Sequence, residues 1–328
     1  MKVFLVVLAL AGSAVAQQFA GPDFNLSLPE QTGRLSWSAP GFEITQSSAK
    51  PHGQEIGIRG QDGAEQLSFL GFLFLIQNDY DVTSAKCRDE ALAQEKKSLP
   101  SLTVLRSWDL TRPGSLPVSL ATYTTKQRDG SAGYHVRGFV ASGNICGDLE
   151  VYSTRQISDS DSAVSRIFAS YRFDPKYLPG FSDVVLYAQI LYDTNMFAAA
   201  APYFEKALTM VPADGAPFPT AKTARRVLTD QAGMAFGISG NVSKARTIFE
   251  EATKTDPDYP LYYYNLACAD AEEENLANAR IHLQQAFARK ANVISGENMP
   301  DPTTDDSFLP YKDNRDFWML LEQLKSGK

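Results

Sequence analysis

The strongest constraint on the fold is a spacing of small, aromatic and proline residues that recurs past residue 181. Its clearest copy consists of Gly233, Phe236, Ala245, Phe249, Ala252 and Pro257. The same offsets give, in an earlier copy, Ala188, Leu191, Ala200, Phe204, Ala207 and Pro212, and in a later copy Ala267, Asp270, Ala279, Leu283, Ala286 and Ala291. Small side chains let two antiparallel helices approach closely, a large side chain fills the space beside the next pair, and proline ends the second helix. The spacing therefore predicts three helical hairpins that stack on one another.

This spacing resembles the tetratricopeptide repeat, or TPR, a helical hairpin of about 34 residues. The three copies begin 45 and 34 residues apart, so we expect an insertion at 213–223 between the first two hairpins. The third copy lacks the aromatic residue and the proline, and the segment from Asp313 to Phe317 resembles the end of such repeats. We expect a TPR domain over residues 181–328, with about three hairpins and a capping helix. A plain helical bundle is the alternative.

In the TPR family, the first helix of each hairpin lines a concave surface that binds peptide segments or helices. The resemblance implies that this chain places there Gln189, Tyr192, Asp193, Asp230, Gln231, Met234, Tyr264 and Asn265. The TPR subgroup that grips a peptide carboxylate has basic residues where Asp230 and Tyr264 stand here, and only Asn265 fits it. An apolar and acidic lining favours an aromatic or basic segment of a partner protein, because like charges repel. The alternative is that the tyrosines pack against the N-terminal half.

Residues 18–180 have the pattern of an antiparallel sheet. Apolar or alternating runs predict strands at 67–76, 102–108, 116–126, 134–141 and 148–155, with a turn at 144–147. Helix-forming residues at 83–97 and apolar residues at helical spacing at 160–171 predict two helices. Strands joined by short turns pair antiparallel, so the expected fold class is α+β, a sheet packed by helices and followed by the all-α TPR stack. The order of these elements resembles the PsbP-like fold, and Gly180 marks the domain boundary.

The first sixteen residues have the pattern of a signal peptide. Lys2 precedes a short apolar stretch, and Ala14 and Ala16 form a small-residue cleavage site before Gln17. The apolar stretch is too short to span a bilayer. We therefore expect a secreted or periplasmic protein with no transmembrane segment in the mature chain. A retained N-terminal anchor is the alternative.

Export also changes how the three cysteines are interpreted. An oxidising compartment permits one disulfide, and Cys87 and Cys146 both lie in the N-terminal half, whereas Cys268 lies in a repeat helix. We expect a Cys87–Cys146 disulfide. Two small buried thiols are the alternative.

The sequence contains no recognisable catalytic motif. His52 lies in a loop, His135 in a strand and His282 in a repeat helix, which is not the pattern of a zinc site, and a nucleophile–base pair of Cys146 and His135 is disfavoured by the expected disulfide. We therefore expect no catalytic, cofactor-binding or metal-binding residues. A net charge of −7 without a basic stripe argues against nucleic-acid binding.

We expect an exported TPR protein that acts as a protein–protein interaction module or scaffold. The alternative is an enzyme or small-ligand-binding protein whose site lies in the N-terminal α+β domain and which uses the repeats for docking.

Overall fold

The structure, a computed structural model, describes residues 22–76 and 82–326. The chain divides between Asp183 and Val184 into two compact units, which we call the sheet unit and the hairpin unit and describe separately. The predicted signal peptide, residues 1–16, lies outside the described residues.

The sheet unit contains two antiparallel sheets. The larger one has the strands β3 Glu43–Lys50, β4 Glu55–Asp62, β5 Leu67–Leu75, β6 Thr103–Leu110, β7 Val118–Lys126, β8 Ala132–Ser142 and β9 Ile145–Ser153. Their order is β3-β4-β5-β9-β8-β7-β6. The smaller sheet has the strands β1 Asp23–Leu26, β2 Arg34–Ser38 and β10 Arg172–Asp174, in the order β1-β2-β10.

The turn predicted at 144–147 is wrong. Ser142 pairs with Ile145, so Gly143 and Asn144 form the turn, and Gly143 has the positive φ of 59° that a tight turn requires. Gly147 instead lies within β9, where a Cβ atom would come within 2.7 Å of Leu35 on β2. This glycine therefore permits close packing between the two sheets, which the sequence pattern could not distinguish from a turn.

Helices pack on the sheets: α1 Ser84–Ser98 and α2 Ser162–Ser170. Thr83 caps α1 by accepting a hydrogen bond from the Lys86 N–H at 3.2 Å, and Asp161 caps α2 through the Ala163 N–H at 3.1 Å. Helix α1 lies on β7 and β8 and buries Cys87 and Leu92. The fold of the chain is α+β, as predicted.

A disulfide joins α1 to the sheet. Cys87 is bonded to Cys146 on β9, as expected, with the two Cα atoms 6.4 Å apart. Both cysteines are buried in an apolar cluster with Val82 and Phe139. A bond between residues 59 positions apart restricts the unfolded chain, which corresponds to about 4 kcal/mol of stabilisation on the chain-entropy estimate.

The hairpin unit has the three predicted hairpins. Their helices are α3 Phe181–Asp193 with α4 Phe197–Met210, α5 Ala221–Ile238 with α6 Val242–Thr255, and α7 Pro260–Glu272 with α8 Leu276–Ala288. Each hairpin turn contains one residue with positive φ: Asn195 at 62°, Gly240 at 92° and Glu274 at 60°. A final helix, α9 Arg315–Ser326, packs on α8 as the cap.

Small residues bring the helices of a hairpin together. On α5, a Cβ atom at Gly233 would lie 2.3 Å from the ring of Phe249, which is itself buried on α6. In the other hairpins, the corresponding Ala188 and Ala267 are fully buried. In the third copy Asp270, which replaces the aromatic residue, is buried and lies 2.9 Å from Arg246 and 2.5 Å from Nδ1 of His282. An ion pair with Arg246 and a hydrogen bond with His282 thus occupy the position where the other copies carry apolar side chains.

The contact between Gly233 and Phe249 can be tested with Gly233→Ala. Alanine favours a helix by about 1 kcal/mol over glycine, but overpacking a core costs about 1–3 kcal/mol. We expect a net loss of up to about 2 kcal/mol in the free energy of unfolding, measured by urea denaturation. In the double variant Gly233→Ala/Phe249→Leu the smaller side chain should relieve the clash, so the two changes should be non-additive. Additive effects would show that the ring is not the obstacle.

Candidate functional site

The eight side chains that the sequence assigned to a concave surface lie on α3, α5 and α7, the first helices of the three hairpins. We call the side of the stack formed by these helices the inner face. Six of the eight are buried: Gln189, Asp230, Gln231, Met234, Tyr264 and Asn265. Tyr192 is half-buried and packs edge-on against Phe197 and Phe204 of its own hairpin, and Asp193 is exposed. The structure therefore does not have an open groove at these positions, and their role in binding stays a prediction.

The buried polar side chains of the inner face hydrogen-bond across neighbouring helices. The Gln231 amide donates to Gln189 at 2.6 Å, which joins α5 to α3, and Gln189 donates to Asp193 at 2.7 Å. The Asn265 amide donates to Asp230 at 2.6 Å, which joins α7 to α5. Because a buried polar group without a partner is costly, these contacts fix how the first helices lie beside one another.

A segment of the chain itself covers the inner face at α7. Residues 293–308, which we call the covering segment, connect α8 to the cap and contain neither helix nor strand. The Tyr259 hydroxyl lies 3.0 and 2.8 Å from the two carboxylate oxygens of Glu297, and the Tyr264 hydroxyl donates to Asp305 at 2.9 Å. Met299 packs against the cores that surround α7. Every residue from Pro260 to Ala271 is buried, which is unusual for a helix at the end of a stack.

The carboxyl groups where the covering segment meets the inner face are difficult to ionise. Burial raises the pKa of Glu297 and of Asp305. Burial, together with the charge of Glu297, also raises the pKa of Asp230 well above its ordinary value. One oxygen of Asp230 has no hydrogen-bond partner among the described residues. The direct donors to these three carboxyls are tyrosine hydroxyls, main-chain and hydroxyl groups of the segment, an asparagine amide and the Cys268 thiol, all of which are neutral.

A second polar cluster lies in the sheet unit, under α1. The Nδ1 atom of His135 is hydrogen-bonded to Glu150 at 2.7 Å, and its Nε2 atom lies 2.9 Å from the Thr125 hydroxyl. The Tyr123 hydroxyl donates to the same Glu150, and the Tyr123 ring stacks on His135 at 4.5 Å. Arg137 forms a two-pronged contact with Asp148, at 2.9 and 2.7 Å, and also contacts Glu95 of α1. This cluster was not predicted from the sequence.

The surroundings in this second cluster lower the pKa of one carboxyl group and raise the pKa of two others. Burial opposes ionisation of Glu150, but the hydrogen bond from His135 and the charge of Arg137 outweigh burial and hold the Glu150 pKa below its ordinary value. Burial raises the pKa of Asp148 and of Glu95 despite the neighbouring Arg137. Burial and the Glu150 charge raise the Tyr123 pKa. The hydrogen-bonded Thr125–His135–Glu150 arrangement could move a proton, but Thr125 is buried, and Cys146 is held in the disulfide and offers no thiolate.

Within residues 22–76 and 82–326, no group of three or more His, Cys, Asp or Glu side chains is placed to hold a metal ion. No helix in the same ranges is long and apolar enough to cross a membrane.

Comparisons with known proteins give limited similarity. No protein-family model matches the chain, and no curated protein sequence matches it. The solved structure of the Yersinia enterocolitica type III secretion translocator chaperone SycD is 16% identical over 45% of this chain and 92% of its own, with a TM-score of 0.30. A structure from Bacteroides thetaiotaomicron VPI-5482 is 12% identical over 69% of this chain and 78% of its own, with a TM-score of 0.31. Such TM-scores carry no argument about function, which rests on this chain's own geometry.

The raised carboxyl pKa values predict a pH dependence. Because the folded-state pKa of Glu297 and Asp305 exceeds the unfolded one, their contribution to stability is complete below about pH 4 and is lost as the pH rises through the folded-state values. The variant Glu297→Gln/Asp305→Asn keeps the hydrogen-bond acceptors but cannot ionise. We expect its free energy of unfolding in urea to rise relative to wild type between pH 5 and pH 8.

The matched control is Asp313→Asn/Glu322→Gln, which removes two exposed carboxylates of the same unit. Its stability should follow the wild-type pH profile. If the buried and exposed pairs changed the profile equally, burial would not be the cause.

Proposed function

We propose that this protein is an exported, TPR-like interaction module whose inner face holds a segment of another protein. The observation that supports this proposal is the covering segment, an irregular stretch of chain bound to the first helices by side-chain contacts. A surface that holds one such stretch within its own chain has the hydroxyl donors and apolar contacts needed to hold another. The covering segment then acts as an internal competitor of the partner.

The contacts of the covering segment suggest the chemistry of the partner. The sequence predicts an aromatic or basic partner segment, because the predicted lining is apolar and acidic and includes Asp193 and Asp230. Asp230 instead accepts a hydrogen bond from Asn265, and the hydroxyls of Tyr259 and Tyr264 point at carboxylates. A partner that replaces the covering segment would therefore present carboxylates to these two tyrosines and an apolar side chain at the place of Met299.

The predicted groove residues have different roles in this proposal. Tyr264 donates directly to the bound carboxylate, whereas Asn265, Asp230, Gln231 and Gln189 position the helices through their mutual hydrogen bonds. Removing a positioning residue would leave a buried polar group unpaired, at a cost of about 1–3 kcal/mol. Loss of stability would therefore accompany any loss of binding at these four positions.

Export is supported by two features. The signal-peptide pattern ends at Ala16. The disulfide between Cys87 and Cys146 is of the kind that persists in oxidising compartments. In such a compartment the protein would act as a scaffold, with the sheet unit as a second folded part.

Displacement of the covering segment can be tested with a synthetic peptide of residues 293–308. In the triple variant Glu297→Ala/Met299→Ala/Asp305→Ala, the full-length protein loses the side chains that hold its own segment. We expect the labelled peptide to bind this variant about tenfold or more tightly than wild type, because the inner face is more often free. Fluorescence anisotropy gives both dissociation constants.

A matched triple variant, Ser295→Ala/Asn298→Ala/Thr304→Ala, changes exposed positions of the same segment and should bind the peptide as wild type does. A peptide that carries the three alanines of the first variant should not bind. Circular dichroism establishes that each protein is folded. Equal peptide affinity for all three proteins would exclude the inner face as the binding surface.

Export makes a separate prediction. Expressed with its native N-terminus in a secreting host, the protein should appear outside the cytoplasm with Gln17 as its first residue, as determined by mass spectrometry. Ala16→Lys should block this cleavage, because the position before the cut requires a small side chain. Thiol labelling of the denatured, unreduced protein should modify Cys268 only. A cytoplasmic chain that begins at Met1 would contradict export.

A further inference from the structure

The hairpin unit also has a groove that is distinct from the polar contacts of the inner face. Its volume is about 820 Å³, and residues of α4, α5, α6 and α7 line it. We call it the outer groove. Its apolar part consists of Leu208 from α4, Ile248 and Ala252 from α6 and Tyr262 from α7. Leu208 and Ile248 are half-buried, so their side chains remain accessible to a ligand.

Cations predominate along the outer groove. The lining contains Lys222, Arg225, Arg226 and Lys244 but only two carboxylates, Glu251 and Asp256. This contrasts with the sequence of residues 181–328, in which acidic side chains outnumber basic ones by 20 to 14. A positive lining in an acidic part of the chain attracts an acidic ligand, because the cations of the lining outnumber its carboxylates.

The cations of the outer groove differ in how firmly the protein holds them. Arg226 is fixed by a two-pronged contact with Asp256, at 2.6 and 3.0 Å, and that contact raises the Arg226 pKa. Lys222 lies 3.4 Å from the same carboxylate, and Lys244 lies 2.8 Å from Glu205. Arg225 is exposed and forms no ion pair within the described part of the chain. Lys222 and Arg226 therefore share one carboxylate of the groove, and Arg225 is paired with none that the structure describes. This leaves positive charge available to a ligand.

We propose that the outer groove binds an acidic, amphipathic segment of a partner protein. Its carboxylates would pair with Arg225 and Lys222 at the rim, and its apolar side chains would pack on Leu208 and Ile248. Charge complementarity selects this occupant over a basic one, since like-charge contact would cost several kcal/mol. The half-buried apolar side chains select a peptide over a purely charged polymer, because a polyanion without apolar groups would leave them exposed to water.

The covering segment is not the occupant of the outer groove. Its carboxylates are bound to Tyr259 and Tyr264 on the inner face. The two surfaces are therefore separate sites made of different residues, and this inference goes beyond the function proposed above. Together they would let one hairpin unit hold two segments at once.

The test uses full-length protein and a labelled peptide of alternating glutamate and leucine. We expect saturable binding by fluorescence anisotropy, and about tenfold weaker binding to Lys222→Glu/Arg225→Glu. The matched control Lys312→Glu/Arg315→Glu makes the same change in net charge at exposed positions elsewhere in the unit. It should change the dissociation constant by no more than about twofold, because charges farther away than a Debye length are screened. Equal weakening by both variants would overturn the assignment to this groove.

Two further arms test the apolar part of the outer groove. Ile248→Ser should also weaken the peptide, and replacing leucine by glycine in the peptide should abolish the difference between wild type and Ile248→Ser. Inorganic polyphosphate serves as the purely charged probe. If polyphosphate or the glutamate–glycine peptide bound as tightly as the glutamate–leucine peptide, the groove would select charge alone and the proposal would be wrong. Circular dichroism excludes unfolding as the cause of any loss.

Discussion

The hairpin unit depends on how closely paired helices can approach. At Gly233 no Cβ atom fits, because the Phe249 ring occupies its place. At the corresponding positions of the other hairpins, alanines are fully buried. This steric constraint sets the distance between helices within a hairpin, and the large side chains then set the distance to the next hairpin. Both candidate binding surfaces follow from it, since the first helices form the inner face and helices of all three hairpins line the outer groove.

Tight packing of the helices brings polar side chains into the interior, where each needs a partner. On the inner face, amides and carboxyls of α3, α5 and α7 satisfy one another, and the tyrosine hydroxyls are satisfied by the covering segment. Without that segment, the two tyrosines would meet water or a ligand. The segment is therefore both a structural cover of α7 and the element that a partner would have to displace.

Sequence reasoning succeeded where a pattern reports directly on packing. The recurrence of Gly233, Phe249 and Pro257 and their counterparts predicted the three hairpins, and short turns predicted the antiparallel order of β6 to β9. It failed where two residues far apart in sequence meet. In the register of β8 and β9, Glu150 stands opposite Arg137 and contacts His135 diagonally across the two strands. Tyr264 and Asp305 are separated by a whole hairpin helix. The polar residues at every second position of these two strands, His135 with Arg137 and Asp148 with Glu150, were the available signal for the first contact. No comparable sequence pattern predicted the contact between Tyr264 and Asp305.

Glu150 in the sheet unit and Glu297 and Asp305 in the hairpin unit are buried carboxyl groups in opposite electrical settings. In the sheet unit, His135 and Arg137 keep the Glu150 pKa low, so ionisation of this carboxyl strengthens the contacts beneath α1. On the inner face, neutral groups are the direct donors to Glu297 and Asp305, and burial raises their pKa values, so ionisation weakens the hold on the covering segment. Ionisation therefore loosens the contacts of the covering segment, whereas ionisation of Glu150 stabilises the polar cluster under α1.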